Sequence, residues 1–259
     1  MSLPHFFLRE QVLAFESAPV FALHLDADDT KHAKVLRLAV GEHIAVVDAV
    51  SDYFECEIVS FEGDELSVSI AQKLSSYARP EVVLVQGLAK GEKMDTIVRH
   101  ATEVGIAEFV PMTTSRSVVK LDAKKSKARF ERWASIAKSA AMQSGRSSKP
   151  VVHAPCSVAG AVDIAKDCDA VLICWEEAEL SSTLAEAVSC CIAATGKDPR
   201  SLRIALVVGP EGGLTAQEVD LFLALPYAYS ISLGPSILRT ETAGIVAPAL
   251  ALYELEGRS

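Results

Sequence analysis

The amino-acid sequence predicts an α/β fold preceded by a small β-rich module, and three observations lead there. From Val82 onward, short apolar runs alternate with helical patterns, as in a mostly parallel sheet covered on both faces. Before Ser75 the runs are short, partly alternating and separated by turn residues, the pattern of a small barrel. Between the two, Ser75 to Pro80 is polar and ends in proline, which marks a linker. The modules are therefore 1–75 and 80–259.

In the first module, strands are expected at Val20 to Leu25, His43 to Val47, Tyr53 to Phe61 and Leu66 to Ala71. A helix from Thr30 to Arg37 has Ala33, Leu36 and Val40 facing one way and Lys31, Lys34 and Arg37 facing solvent. In the second module, strands are expected at Val82 to Gln86, Phe109 to Met112, Ala170 to Cys174, Leu202 to Val208 and Tyr229 to Leu233. The helices between them run from Glu92 to Val104, Lys124 to about Ser144, about Leu180 to Ala194 and Ala216 to Leu225. A last helix covers about Glu241 to Glu254. Pro248 inside it costs about 3 kcal/mol unless the axis bends, so a bend is expected between Gly244 and Pro248.

With 259 residues, half of them hydrophobic, the chain can bury a large core. No apolar run reaches the roughly 18 residues of a membrane span, and Met1 to Glu10 lacks a signal-peptide core. A cytoplasmic protein with no membrane partner is expected. Six cysteines, at 56, 156, 168, 174, 190 and 191, show no metal-type spacing and read as reduced thiols; no metal is expected. His153 reads as a satisfied histidine.

A net charge of −9 argues against a nucleic-acid partner, but its distribution argues for one. From Arg116 to Lys149 ten basic residues face only Asp122 and Glu131. A solvated helix face fits that run as well. Lys90 and Lys93 stand at a strand-to-helix junction, where amide donors and the helix dipole would welcome a phosphate. The basic helix closes on Gln143-Ser144-Gly145-Arg146, leaving Arg146 beside its end for a phosphate or an oxyanion.

Two loops near the carboxyl end organise the rest. Val208-Gly-Pro-Glu-Gly-Gly-Leu-Thr215 and Leu233-Gly-Pro-Ser-Ile-Leu-Arg-Thr-Glu-Thr242 each follow a strand and lead into a helix. Thr215 with Glu218 fits a capping box. The first loop lacks the Gly-Lys-Ser/Thr of a Walker loop and the spacing of a dinucleotide fingerprint. A ligand-free turn fits it too, but in parallel sheets ligands bind beyond the carboxyl ends of the strands.

Gly91-Glu92-Lys93-Met94, Gln143-x-Gly145-Arg146, Val208-Gly209-Pro210-Glu211-Gly212-Gly213, Leu233-Gly234-Pro235-x-x-Leu238-Arg239-Thr240-Glu241-Thr242-Ala243 and His32-x-x-Val35-Leu36-Arg37 together resemble the RsmE family. Its members are 16S ribosomal RNA (uracil-N3) methyltransferases of the SPOUT superfamily. The resemblance covers nearly the whole chain. It implies a PUA-like RNA-binding barrel at 1–75 and, at 80–259, a methyltransferase domain whose carboxyl-terminal strands and loops form a trefoil knot, a rarity among folds. It also implies S-adenosyl-L-methionine as cofactor, a homodimer with the active site near the subunit interface, and 16S rRNA in the folded small subunit as substrate.

By the same resemblance, the cofactor is surrounded by Gly209, Pro210, Glu211, Gly213, Leu233, Gly234, Ser236 and Leu238, with Cys174, Trp175 and Glu176 as a third wall. Arg37, Lys90, Lys93, Arg116, Lys124, Lys125, Lys127 and Gln143 would face rRNA, chiefly its phosphates, which position without reading sequence. One departure is Ser236, where the family commonly has arginine.

Uracil N3 must lose its proton before it can attack a sulfonium methyl. An arginine holding the developing oxyanion would serve; Arg239 or Arg146 is expected there, with Glu241 as base or orienter. Two other readings remain: an RNA-binding factor that has kept the fold without the chemistry, and a nucleotide-dependent oxidoreductase using Gly209 to Gly213 as a pyrophosphate loop.

Overall fold

A computed structural model describes residues 3–75, 78–175 and 182–257. The chain forms two compact units. The first comprises 1–77 and 141–149, the second 78–140 and 150–259.

The first unit contains β1 (His5–Phe7), β2 (Phe21–Ala22), α1 (Ala27–Leu36), β3 (His43–Val47), β4 (Tyr53–Glu62) and β5 (Glu65–Leu74). Asp26 caps α1 by accepting the Asp29 amide, and Arg37 ends it in the left-handed region at φ 54°. The five strands form one sheet in the order β1-β3-β4-β5-β2, and among the described residues β1 and β2 do not pair. The expected barrel closure is therefore absent from the strand ladder; β2 keeps only two residues of the expected Val20 to Leu25 run, too few to reach a second neighbour. Phe6, Leu13, Ile44, Ile58 and Leu66 fill the core. Ala33 is buried as expected, whereas Leu36 and Val40 are exposed. Leu36 is the last residue of α1 and Val40 lies beyond its left-handed end, so the helical spacing that aligned them with Ala33 stops too soon.

The second unit begins with β6 (Glu81–Gly87), α2 (Lys93–Val104) and β7 (Glu108–Thr113). Then come α3 (Ala123–Gln143), whose last three residues belong to the first unit, β8 (Val151–Val152), β9 (Cys156–Ser157), α4 (Val158–Ala165) and β10 (Ala170–Cys174). It ends with β11 (Ser182–Thr183), α5 (Leu184–Thr195), β12 (Arg203–Val208), α6 (Ala216–Leu223), β13 (Ala228–Ser232) and α7 (Thr240–Glu256). The expected helix start at Leu180 lies outside the described residues.

The sheet order is β11-β13-β10-β12-β6-β7-β8, with β9 beside β7, and every pairing in it is parallel. Successive residues point to opposite faces. Val82 and Leu84, Leu172, and Ile204 and Leu206 enter one core with α2, α5 and α7. Val83 and Val85, Ile173, and Ala205 and Val207 enter the other with α4 and α6. That double burial explains why the strands read as continuous apolar runs.

Trp133 anchors α3 from inside. Its Nε1 donates to Asp95 Oδ1 at 3.1 Å, and Arg132 donates to Asp95 Oδ2 through Nε and Nη2 at 2.9 and 2.6 Å. α7 is assigned as helix throughout, including Pro248; the bond this proline cannot donate is the one to Gly244. None of the helices among the described residues is long and apolar enough to cross a membrane, and no metal-type cluster of side chains occurs among them.

Candidate active site

The carboxyl ends of β10, β12 and β13, with Lys90 and Lys93 beyond β6, surround a cavity of about 860 Å³. Because β10 lies between β12 and β13, the loops that follow the outer two strands flank Cys174 and Trp175 at its end. Four of its lining residues are glycine and two are proline.

The first loop approaches β6 closely. A Cβ on Gly87 would stand 2.5 Å from Pro210 Cδ, so this position admits only hydrogen. The loop turns at Gly213, with φ +70°, where the amide donates to the Pro210 carbonyl at 2.9 Å. Arg116 Nη1 donates to the carbonyls of Gly212 and Leu214 at 3.0 and 3.2 Å. The expected capping box is formed by Thr215 and Glu218. Glu218 also accepts the Ser115 amide at 2.7 Å, so one nearly buried carboxylate ties α6 to the chain after β7. Burial alone would push its pKa up, but the Ser115 and Thr215 amides outweigh that and hold it low.

The second loop is folded on itself by Ser232, whose Oγ pairs with both the amide and the carbonyl of Gly234. It runs into α7 at Arg239. The next residue, Thr240, donates to the Gly209 carbonyl at 2.6 Å and accepts from Gln86 Nε2 at 2.9 Å. Gln86 is fully buried and also donates to the Gly87 carbonyl at 3.0 Å.

Charge crosses the same gap. Lys93 Nζ lies 3.2 Å from Glu211 Oε1 and 2.9 Å from Glu241 Oε2. Glu241 raises the Lys93 pKa most; burial opposes this, and Glu211 adds to it. Lys93 in turn holds Glu241 below the usual carboxylate range. Glu211 is also held low, as its own amide, the Lys90 amide and Lys93 outweigh burial.

Apart from Arg116 and Glu241, described above, the expected site residues fall into three groups. Cys174, Trp175, Gly209, Pro210, Glu211, Gly213, Leu233, Gly234, Ser236 and Leu238 line the cavity, joined by Lys90, Lys93 and Arg239. Glu176 lies outside the described residues. Lys124, Lys125 and Lys127 are exposed on the first turns of α3, where Lys125 pairs with Asp122 and Lys127 approaches Glu131. Arg37, Gln143 and Arg146 belong to the first unit.

Sequence reasoning missed Gln86 and gave Thr240 no role of its own. The only signal for Gln86 is an amide at the end of an otherwise apolar strand. His153 is satisfied as expected, by Glu108 at 2.7 Å.

Residues 77–252 match the RNA methyltransferase domain family. The Bacillus subtilis ribosomal RNA small subunit methyltransferase E is 34% identical over 244 residues, covering 93% of each chain. The chain belongs to the ribosomal RNA small subunit methyltransferase E family. It is thus an RNA methyltransferase. The Mycobacterium bovis member is 31% identical over 229 residues, which is 86% of this chain and 83% of that one. Among solved structures, the Neisseria gonorrhoeae ribosomal RNA small subunit methyltransferase E, crystallised with S-adenosyl methionine, is 25% identical. It superposes with a TM-score of 0.77 over 97% of both chains.

Proposed function

We propose that this chain methylates N3 of a uridine in 16S rRNA, using S-adenosyl-L-methionine bound in the cavity between the two glycine loops. The observation that carries the reading is that cavity, with Arg239 and Trp175 among its lining residues. Its volume suits a ligand of that size, and its backbone lining offers amides and carbonyls to an adenosine. Trp175 lines that cavity, and its Nε1 is buried with no hydrogen-bond partner among the described residues.

The bound cofactor supplies a methyl group already activated on a sulfonium. The protein's own residues then prepare the acceptor. Arg239, at the start of α7 and on the cavity wall, donates to the oxyanion that develops on uracil as its N3 proton passes to solvent. Glu241, held ionised by Lys93, orients that arginine. Aligning the two reactants supplies much of the remaining acceleration. Arg239 takes the role for which Arg146 was the other candidate because Arg239 lines the cavity.

The first unit is assigned to RNA binding through Arg37, Gln143 and Arg146, in the manner of a PUA-like domain. The second carries methyl transfer in a knotted SPOUT arrangement, with Lys124, Lys125 and Lys127 on rRNA phosphates. The substrate is the folded small subunit and the working unit a homodimer. These assignments rest on the motifs named above and on family membership.

The test is direct. Small subunits from cells lacking this gene are incubated with the purified chain and S-adenosyl-L-methionine, and the 16S rRNA is digested for mass spectrometry. One new N3-methyluridine is expected. Methylation of another base, or none, overturns the proposal.

A further inference from the structure

Lys93 stands at a junction that its place in the sequence does not disclose. It is the first residue of α2, and its ammonium is shared by Glu211 of the first loop and Glu241 of the first turn of α7. The three side chains are only about one-quarter exposed. Glu211 Oε1 also accepts the Lys90 amide at 3.2 Å, so one carboxylate oxygen meets both Lys93 and the backbone beside it. A lysine so engaged would have to give up two carboxylates to reach an RNA phosphate.

We propose that Lys93 is a positioning residue for methyl transfer, joining Glu211 to Glu241 so that one ammonium sets the gap between the two loops enclosing the cofactor. This role rests on the reading of the cavity as the S-adenosyl-L-methionine site. Without the ammonium, two carboxylates that now share one counter-charge repel each other at short range. Glu211 lies two residues beyond Gly209 and Glu241 two beyond Arg239, so their separation moves both cofactor walls. The neutral bonds among Gln86, Thr240 and Gly209 remain and keep the fold together when the charge is removed.

The experiment compares the full chain with Lys93→Gln, Lys93→Arg and Lys93→Gln/Glu241→Gln. Cofactor affinity is read by calorimetry, and KM for cofactor and affinity for small subunits are read separately. In Lys93→Gln the Kd and KM for S-adenosyl-L-methionine should rise about tenfold, the size expected for losing charged hydrogen bonds. Subunit affinity and its salt dependence should not move. Lys93→Arg should restore most of the loss, and adding Glu241→Gln should recover part of it by removing one repelling charge, a non-additive result.

Unchanged cofactor affinity with weaker, less salt-dependent subunit binding would make Lys93 a phosphate contact and overturn the proposal; strictly additive losses would do the same. Should Lys93→Gln fold poorly, Glu211→Gln, which leaves Lys93 paired with Glu241, must give a smaller loss of cofactor affinity in the same direction, and no loss counts against the role. A wild-type chain that binds no S-adenosyl-L-methionine removes the cavity assignment itself, a result visible before any variant is made.

Discussion

Thr240 Oγ1 donates a hydrogen bond of 2.6 Å to the carbonyl of Gly209. The same oxygen accepts from the buried amide of Gln86, so one hydroxyl fastens the end of β6, the first glycine loop and the start of α7. Thr240→Val keeps the shape and removes the hydroxyl, leaving a buried donor and acceptor short of a partner. A loss of about 1–3 kcal/mol is expected, measured by urea unfolding, together with weaker cofactor binding. An unchanged midpoint would show the bond to be dispensable.

Arg239→Ala should lower turnover by about a hundredfold to a thousandfold, the cost of removing an oxyanion donor. Cofactor affinity should stay within a few fold, because many other residues line the cavity. Single-turnover assays and calorimetry separate the two effects. A fully active variant rules the assignment out.

Reversing Lys124, Lys125 and Lys127 to glutamate should weaken subunit binding and flatten its dependence on salt, since fewer counterions are released. All three are exposed, so thermal stability should barely change. Binding that survives at every salt concentration would return this face to solvent.

Glu108 predicts a response to acid. Burial pushes its pKa up, but Arg203 and His153 outweigh burial and hold it below the ordinary 4.5. The unfolded chain therefore takes up this proton at a higher pH than the folded one. The stability that Glu108 contributes is complete above 4.5 and is lost as pH falls through the lower folded value. Glu108→Gln should be less stable at neutral pH and lose less between about pH 5 and about pH 3. Parallel acid-unfolding curves for the two proteins would contradict this.

Burial pushes the thiols of Cys56 and Cys191 up to about 12, with Glu55 adding to the first and Cys190 to the second. Cys190, next in sequence to Cys191, is exposed. A thiol reagent at pH 8 should modify Cys190 quickly and leave Cys56 and Cys191 untouched until the chain unfolds, as peptide mapping would reveal. Rapid labelling of Cys56 in the native protein would mean its core opens readily.

The glycine loops and the five longer parallel strands were legible in the sequence because their signals are local: apolar runs for strands buried on both faces, and glycine with proline where the backbone turns; the two-residue strands β8, β9 and β11 carry no such run. The site's internal bonds were not. Gln86 and Thr240 are 154 residues apart, and Lys93 reaches two acids on distant segments, so nothing beside it in the sequence distinguishes it from a surface lysine. Its place at a strand-to-helix junction suggested a phosphate, while the fold surrounds it with carboxylates. Arg116 and Arg132 were likewise counted in a basic run, yet Arg116 donates to loop carbonyls and Arg132 to Asp95. Helix α4 escaped notice because Val158-Ala-Gly-Ala-Val-Asp-Ile-Ala165 is nearly apolar throughout and shows no clear stripe.

The position of β10 in the sheet has a further effect. After β12 the chain must carry α6 across β10 before β13 can be laid on its far side, and α7 then returns to pack on α2 and β6. A nascent chain that has made every strand but the last thus has most of its sheet and nowhere to put a small molecule. The cavity is completed only at the end of folding, and by mass action any molecule that binds there stabilises the finished chain against slipping back.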